Sequence, residues 1–215
     1  TSIYLKRLIQ KDSIIGITGG TTMACVAEEM PLGGRTSNVL VIPARGGLGK
    51  DVETQSNSIA AKLAKKLGAS YELLHIPDNI DRTTLEAVLK LSETKEVIQL
   101  ISRMNILVFG IGRADIMAER RQLPPEKIDK LINKGAVAEA FGYYFDIEGK
   151  QVWESLTVGL SLEGFQKIHK VIGVAGGEDK AEAILSVASL KRDMAIITDE
   201  GAAKKIIKIV EKATQ

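Results

Sequence analysis

The sequence is poor in several residue types at once: one cysteine, two histidines, five prolines and only 4% aromatics among 215 residues. A single cysteine, Cys25, excludes an internal disulfide. It falls among Met23, Val26 and Ala27 on a helical pattern, so a packed thiol is expected there and not a nucleophile. Metal sites need clustered histidine, cysteine or carboxylate donors, and no such cluster is present in the sequence. An excess of one charge is also missing. Twenty-nine basic against 27 acidic residues give +2, too little for a global field that attracts nucleic acid. No apolar run approaches the roughly 18 residues of a membrane span. No signal-peptide pattern opens the residues given, so a cytoplasmic protein without a membrane partner is expected.

Glycine is better supplied, with 20 residues, and its placement organises the chain. Short apolar runs bounded by glycine and proline alternate with helical patterns. Strands are expected at Ile14–Thr18, Val39–Pro43, Tyr71–Ile76, Ile106–Phe109, Val171–Val174 and Met194–Thr198. Helices are expected at Thr22–Met30, Ser56–Leu67, Thr83–Ile101 with a break near Ser92–Thr94, Asp115–Arg121, Pro124–Asn133, Lys180–Ala188 and Ala202–Lys212. The stretch FGYYFDIEGKQVW alternates aromatic and polar residues about an Asp-Ile-Glu-Gly turn and reads as a hairpin, packed by Tyr143, Tyr144 and Trp153. The expected fold is therefore α/β: one domain over residues 1–215, a doubly wound, mostly parallel sheet with a small inserted hairpin. SIYLKRLIQKDS reads as a helix already under way, with no initiator methionine before it, so a segment upstream is expected.

In doubly wound sheets ligands bind beyond the carboxyl ends of the strands. Four strands here run into glycine-rich loops: Gly19-Gly20-Thr21-Thr22, Ala44-Arg45-Gly46-Gly47-Leu48-Gly49, Gly110-Ile111-Gly112 and Ala175-Gly176-Gly177. Backbone amides, hydroxyls and a helix start make a cradle for an anion. A tight strand-to-helix turn with Thr21 or Thr22 as N-cap explains the first loop equally well. Nucleotide motifs fail on inspection. ARGGLGKD has Ala44 where a P-loop needs glycine and Asp51 where it needs serine or threonine. GIGRAD and AGGEDK lack the third glycine of a dinucleotide fingerprint.

Several polar residues share these loops. Arg45 directly follows a strand, where a buried arginine requires a carboxylate or phosphate. Lys180 falls in the first turn after Gly176-Gly177. Arg120 and Arg121 close a helix, where a dipole contact explains them as well. Glu139 lies in an apolar stretch and could act as a base, accept from sugar hydroxyls or pair with a nearby arginine. His75 and His169 have no acid or nucleophile at a recognisable spacing.

Taken together, TGGTT, IPARGGLG, GIG followed by AERR, VAEAFGYYF, VAGGEDKAEAI and TDEGAAKKI, in that order through nearly the whole chain, resemble the effector-binding domain of the SorC family of bacterial transcriptional repressors. The resemblance implies a fold similar to ribose-5-phosphate isomerase and glucosamine-6-phosphate deaminase. It implies a domain that senses phosphorylated sugars, fructose 1,6-bisphosphate in the branch that controls glycolytic genes, with no cofactor and no catalytic residue. Gly19, Gly20, Thr21 and Thr22 match the family's first phosphate site, with Arg45, Gly47 and Leu48 beside it. Arg120, Lys180, Gly176 and Gly177 match the second, Glu139 matches the acceptor of sugar hydroxyls, and Gln55 would line the pocket. Arg113 has no matching charge in the family. The resemblance further implies a homodimer or tetramer that contacts operator DNA only through an N-terminal helix-turn-helix domain, absent here. Within the sequence only the apolar stripe Ile3, Leu5, Leu8 and Ile9 hints at a partner surface, and core packing explains it too. The rival reading is a sugar-phosphate isomerase on the same fold. Isomerisation needs a base and usually an acid, and only Glu139 is available as a base.

Overall fold

The computed structural model describes residues 1–33, 37–47, 51–76, 81–156 and 158–213. The opening helix is α1 (Ser2–Leu8), followed by β1 (Ile14–Ile17), α2 (Thr21–Glu28) and β2 (Leu40–Pro43). Next come α3 (Ser56–Leu67) and the short β3 (Ser70–Tyr71). The long helical tract divides at Leu89–Leu91, just ahead of the expected Ser92–Thr94, into α4 (Arg82–Val88) and α5 (Ser92–Arg103), and β4 (Ile106–Gly110) follows. Then come β5 (Gly112–Arg113), α6 (Ala114–Arg120), α7 (Pro125–Asn133), β6 (Ala138–Ala140), β7 (Tyr143–Phe145) and β8 (Gln151–Glu154). The chain closes with α8 (Leu162–Lys167), β9 (Lys170–Val174), α9 (Ala181–Ala188), β10 (Ala195–Ile197) and α10 (Glu200–Ala213).

Among the described residues six strands form a parallel sheet in the order β10-β9-β4-β1-β2-β3. β1 pairs in parallel with β2 on one side and β4 on the other. Ile15, Ile17, Val41, Ile42 and the run Ile106 to Phe109 are fully buried, as expected of strands covered on both faces. The doubly wound α/β frame read from the sequence is the frame observed. Two compact units make up the chain, Thr1–Phe109 with Leu156–Ile172, and Gly110–Ser155 with Gly173–Gln215.

In the first unit α3 turns Ile59, Ala60, Leu63, Ala64 and Leu67 inward, the spacing of one helical face. α2 buries Met23, Val26 and Ala27. Cys25 lies on the opposite side of that helix and is exposed, so the expected packed thiol is a surface thiol. Of the apolar stripe on the first residues, Leu5 and Ile9 enter the core while Ile3 is 64% exposed. The extended run expected to Ile76 pairs only at Ser70–Tyr71.

In the second unit the expected hairpin is β7-β8, and it is half of a four-stranded antiparallel sheet, β5-β6-β7-β8. β6, with the sequence Ala-Glu-Ala, has the residue types depleted in strands. It is held as a strand because β5 and β7 pair with it on both sides. Its connection to β7 is a two-residue loop with positive φ at both Phe141 (36°) and Gly142 (95°), the combination a type I′ turn requires. A buried phenylalanine in that region is strained. Behind the sheet, Ala114, Ala118, Leu131, Ala136 and Tyr144 form the core with α6 and α7, and Tyr144 packs on Trp153 at 5.1 Å.

Candidate functional site

In the first unit the Gly19-Gly20 turn is fixed by the segment before α3. A Cβ on Gly19 would lie 2.8 Å from the Thr54 carbonyl oxygen, so only glycine permits this approach. Gly20 donates its amide to the same Thr54 carbonyl at 2.8 Å and holds φ at 115°, a left-handed value that favours glycine. Gly20 is also the N-cap of α2, and no side chain caps that helix. Thr21 and Thr22 are therefore the first helical residues and not caps. Among the described residues neither threonine hydroxyl has a hydrogen-bond partner, and Thr21 is exposed. The first-turn amides have no partner inside a helix, so the exposed Thr21 and the half-buried Thr22 stand at the positive end of the α2 dipole.

The loop after β2 joins the same cluster. Arg45 is 5% exposed, makes an isolated bridge with Gly159, and accepts on its carbonyl a hydrogen bond from the Ser56 hydroxyl at 3.0 Å. Gln55 precedes α3 and places its side-chain oxygen over Gly47. The fold thus gathers Gly19, Gly20, Arg45, Gly47 and Gln55 around the turn before α3. The amides of Gly46 and Gly47 are engaged by the Val158 and Ile76 carbonyls, so this loop contributes side chains and shape more than free amides. Leu48 lies outside the described residues.

In the second unit the loop after β9 is built around acidic residues that the sequence reading did not single out. Asp199 Oδ2 accepts from the Gly177 amide at 2.6 Å, while its Oδ1 accepts from Ala202 at the start of α10. The amide of Gly177 is thereby occupied. An aspartate two residues beyond a strand and ahead of a helix is a helix-start signal, and TDEG carried it. Lys180 sits half-buried where a short 3₁₀ turn enters α9 and has no ion-pair partner among the described residues. Arg113, whose role the sequence left open, reaches across to the same turn. It donates to Asp115 at 2.6 Å and to Asp179 at 3.3 Å. The Asp115 fork raises the Arg113 pKa, and Arg113 holds the Asp115 carboxyl below its ordinary value against the opposing cost of burial.

Glu139 and the two arginines separate into distinct roles. Glu139 stands opposite Gly112 in the β5-β6 pairing and is 4% exposed. Its Oε1 accepts from Arg121 at 2.7 Å and from the Gly142 amide at 2.7 Å. Of the alternatives open for Glu139, pairing with an arginine is the one this geometry displays. Arg120, matched to the second phosphate site, is exposed at the end of α6. Arg121, its neighbour, is the buried one. Among the described residues there is no group of acidic, histidine or cysteine side chains that could hold a metal, and no helix is long and apolar enough to cross a membrane.

Residues 1–208 match the sugar-binding domain family. The chain is 42% identical to the central glycolytic genes regulator of Priestia megaterium, over 96% of this chain and 60% of that protein. It is 40% identical to the regulator of the same name from Bacillus subtilis, over 95% of this chain and 60% of that protein. It therefore spans about three-fifths of the length of these relatives. A SorC family transcriptional regulator from Enterococcus faecalis has the same fold with a TM-score of 0.89 and 41% identity, covering 96% of this chain and 85% of that one. These relatives are regulators and not enzymes, so the isomerase reading finds no support among them. The chain belongs to the sugar-binding domain family of SorC-type transcriptional regulators.

Proposed function

We propose that this chain is the effector-sensing part of a bacterial regulator of glycolytic genes and that its effector is fructose 1,6-bisphosphate. Binding would alter how subunits associate, and a DNA-binding segment outside these residues would read the change. The names of the two regulators at 40–42% identity support the glycolytic assignment. The observation that carries the ligand assignment is the start of α2, where Thr21 and Thr22 add two hydroxyls without a hydrogen-bond partner among the described residues to a helix N-terminus approached through Gly19 and Gly20. Lys180, without an ion-pair partner among the described residues, offers a second positive group on its own loop.

A thermal-shift panel of glycolytic intermediates tests this reading. A ligand at 100 times its dissociation constant, bound only by the native state, stabilises by about 2.7 kcal/mol. For a domain of this size that is a rise of roughly 5–10 °C in Tm. Fructose 1,6-bisphosphate is expected to exceed glucose 6-phosphate, fructose 6-phosphate and dihydroxyacetone phosphate. An equal shift from a monophosphate would remove the need for a second phosphate.

A further inference from the structure

A separate cavity of about 430 Å³ opens in the second unit between α7 and β8. Its walls are of two kinds. Pro124, Leu131 and Trp153 supply apolar surface, and Leu131 is buried at 3% exposure. Lys127 and Lys130 on α7 and Lys134 at its C-cap line the same cavity, three and seven residues apart, so their backbone positions span about 10 Å of the rim. Some lysines elsewhere meet carboxylates, Lys62 and Lys66 with Glu28, Lys167 with Glu163 and Lys204 with Glu200, while Lys180 does not among the described residues. Among the described residues the three cavity lysines have no carboxylate partner. Among the described residues Glu126 is the one acidic residue at the rim. Lys127 lies 4.4 Å above the Trp153 ring, a cation–π contact that keeps its charge over the aromatic floor.

We propose that this cavity binds a flat aromatic anion of the nucleoside phosphate class. The volume falls in the range of small-ligand pockets, roughly 300–1,000 Å³. An indole flanked by proline and leucine offers a heterocycle a stacking surface once the exposed Lys127 ammonium swings off the ring toward the phosphates. A file of three unneutralised ammonium groups suits a short chain of phosphates, which bare sugar phosphates could use but whose aromatic floor they would leave empty. A neutral heterocycle would leave the lysines unused. The cavity shares no residue with the loops assigned to the sugar bisphosphate, so the two ligands are independent in this reading.

Trp153 is the only tryptophan of the chain, so its fluorescence reports on this cavity directly. The experiment titrates the protein with ADP, adenosine and inorganic pyrophosphate, exciting at the red edge of tryptophan absorption where adenine is transparent. ADP is expected to quench Trp153 saturably, with adenosine and pyrophosphate each at least about tenfold weaker. Each charge-assisted contact accounts for about a tenfold step. The exposed double variant Lys130→Gln, Lys134→Gln should retain its melting curve and weaken ADP by about tenfold or more. Saturating fructose 1,6-bisphosphate should leave the ADP titration unchanged. Absence of saturable quenching, pyrophosphate matching ADP, an unaffected double variant, or competition by fructose 1,6-bisphosphate would each overturn the assignment.

Discussion

Arg121 donates to Glu139 across 2.7 Å with both side chains 5% exposed, and the same carboxylate oxygen holds the Gly142 amide at 2.7 Å. One carboxylate therefore neutralises a buried guanidinium and secures the strained Phe141-Gly142 turn. Removing either charge leaves the other buried without this partner, a loss of up to about 3–5 kcal/mol. Glu139→Gln is expected to lower unfolding free energy by this amount in urea titrations. Replacing both residues by apolar ones, Arg121→Met with Glu139→Leu, should recover much of it. A Glu139→Gln variant of unchanged stability but weakened sugar binding would instead assign the carboxylate to the ligand.

The sequence displayed the parallel sheet because its strands are buried on both faces and read as unbroken apolar runs, as Ile106 to Phe109 do. It concealed β6, because Ala138-Glu139-Ala140 carries helical propensity and becomes a strand only through its two neighbours. The two glycines of the first loop were visible, yet their reasons were not. Gly19 answers to Thr54 and Gly20 to its own backbone angle, and the first depends on a loop more than thirty residues away. Arg120 and Arg121 differ in the sequence by one position and in the fold by burial. Only the helix phase of α6 against β6 decides between them, and a pattern of two adjacent arginines does not contain it.

Thr21 and Thr22 are separable from helix capping, since Gly20 takes the cap position. Alanine is the better helix former, so Thr21→Ala with Thr22→Ala should change stability by no more than about 0.5 kcal/mol. Affinity for fructose 1,6-bisphosphate should fall, by about tenfold for each charge-assisted bond lost. Calorimetric titration beside a melting curve checks both. Affinity left intact would withdraw the phosphate from this loop.

The Arg113–Asp115 fork gives an acid dependence of known sign. The Asp115 carboxyl is held below its ordinary value chiefly by the Arg113 hydrogen bond. Its contribution is therefore complete above the unfolded carboxylate value, about 3.9, and is lost as pH falls through the lower folded value. Both side chains are over a third exposed, so the effect is small. Urea unfolding at a series of pH values should show a shallower decline below about pH 4 for Asp115→Asn than for the parent chain, with parallel behaviour near neutrality. Superimposable acid limbs would show that the fork is already screened by water.

The loop after β9 poses one cation against several carboxylates, and that balance predicts opposite effects from neighbouring substitutions. Lys180 offers a charge-assisted bond of about 1.5–3 kcal/mol to a phosphate, so Lys180→Ala should weaken fructose 1,6-bisphosphate by about 10- to 150-fold. Asp179 acts the other way: it holds the Arg113 Nη1 at 3.3 Å and adds negative charge beside the place a phosphate would enter. Asp179→Asn removes that repulsion and loosens Arg113 from the turn, so affinity should rise and its dependence on salt should steepen. Arg113→Met should then remove the part of the gain made by Asp179→Asn that comes from the loosened guanidinium, leaving the part due to lost repulsion. Calorimetry on the three variants and the double variant decides the matter. An Asp179→Asn protein that bound more weakly than the parent would mean that the Arg113–Asp179 pair shapes the loop for its ligand, and Arg113 would return to a purely structural role.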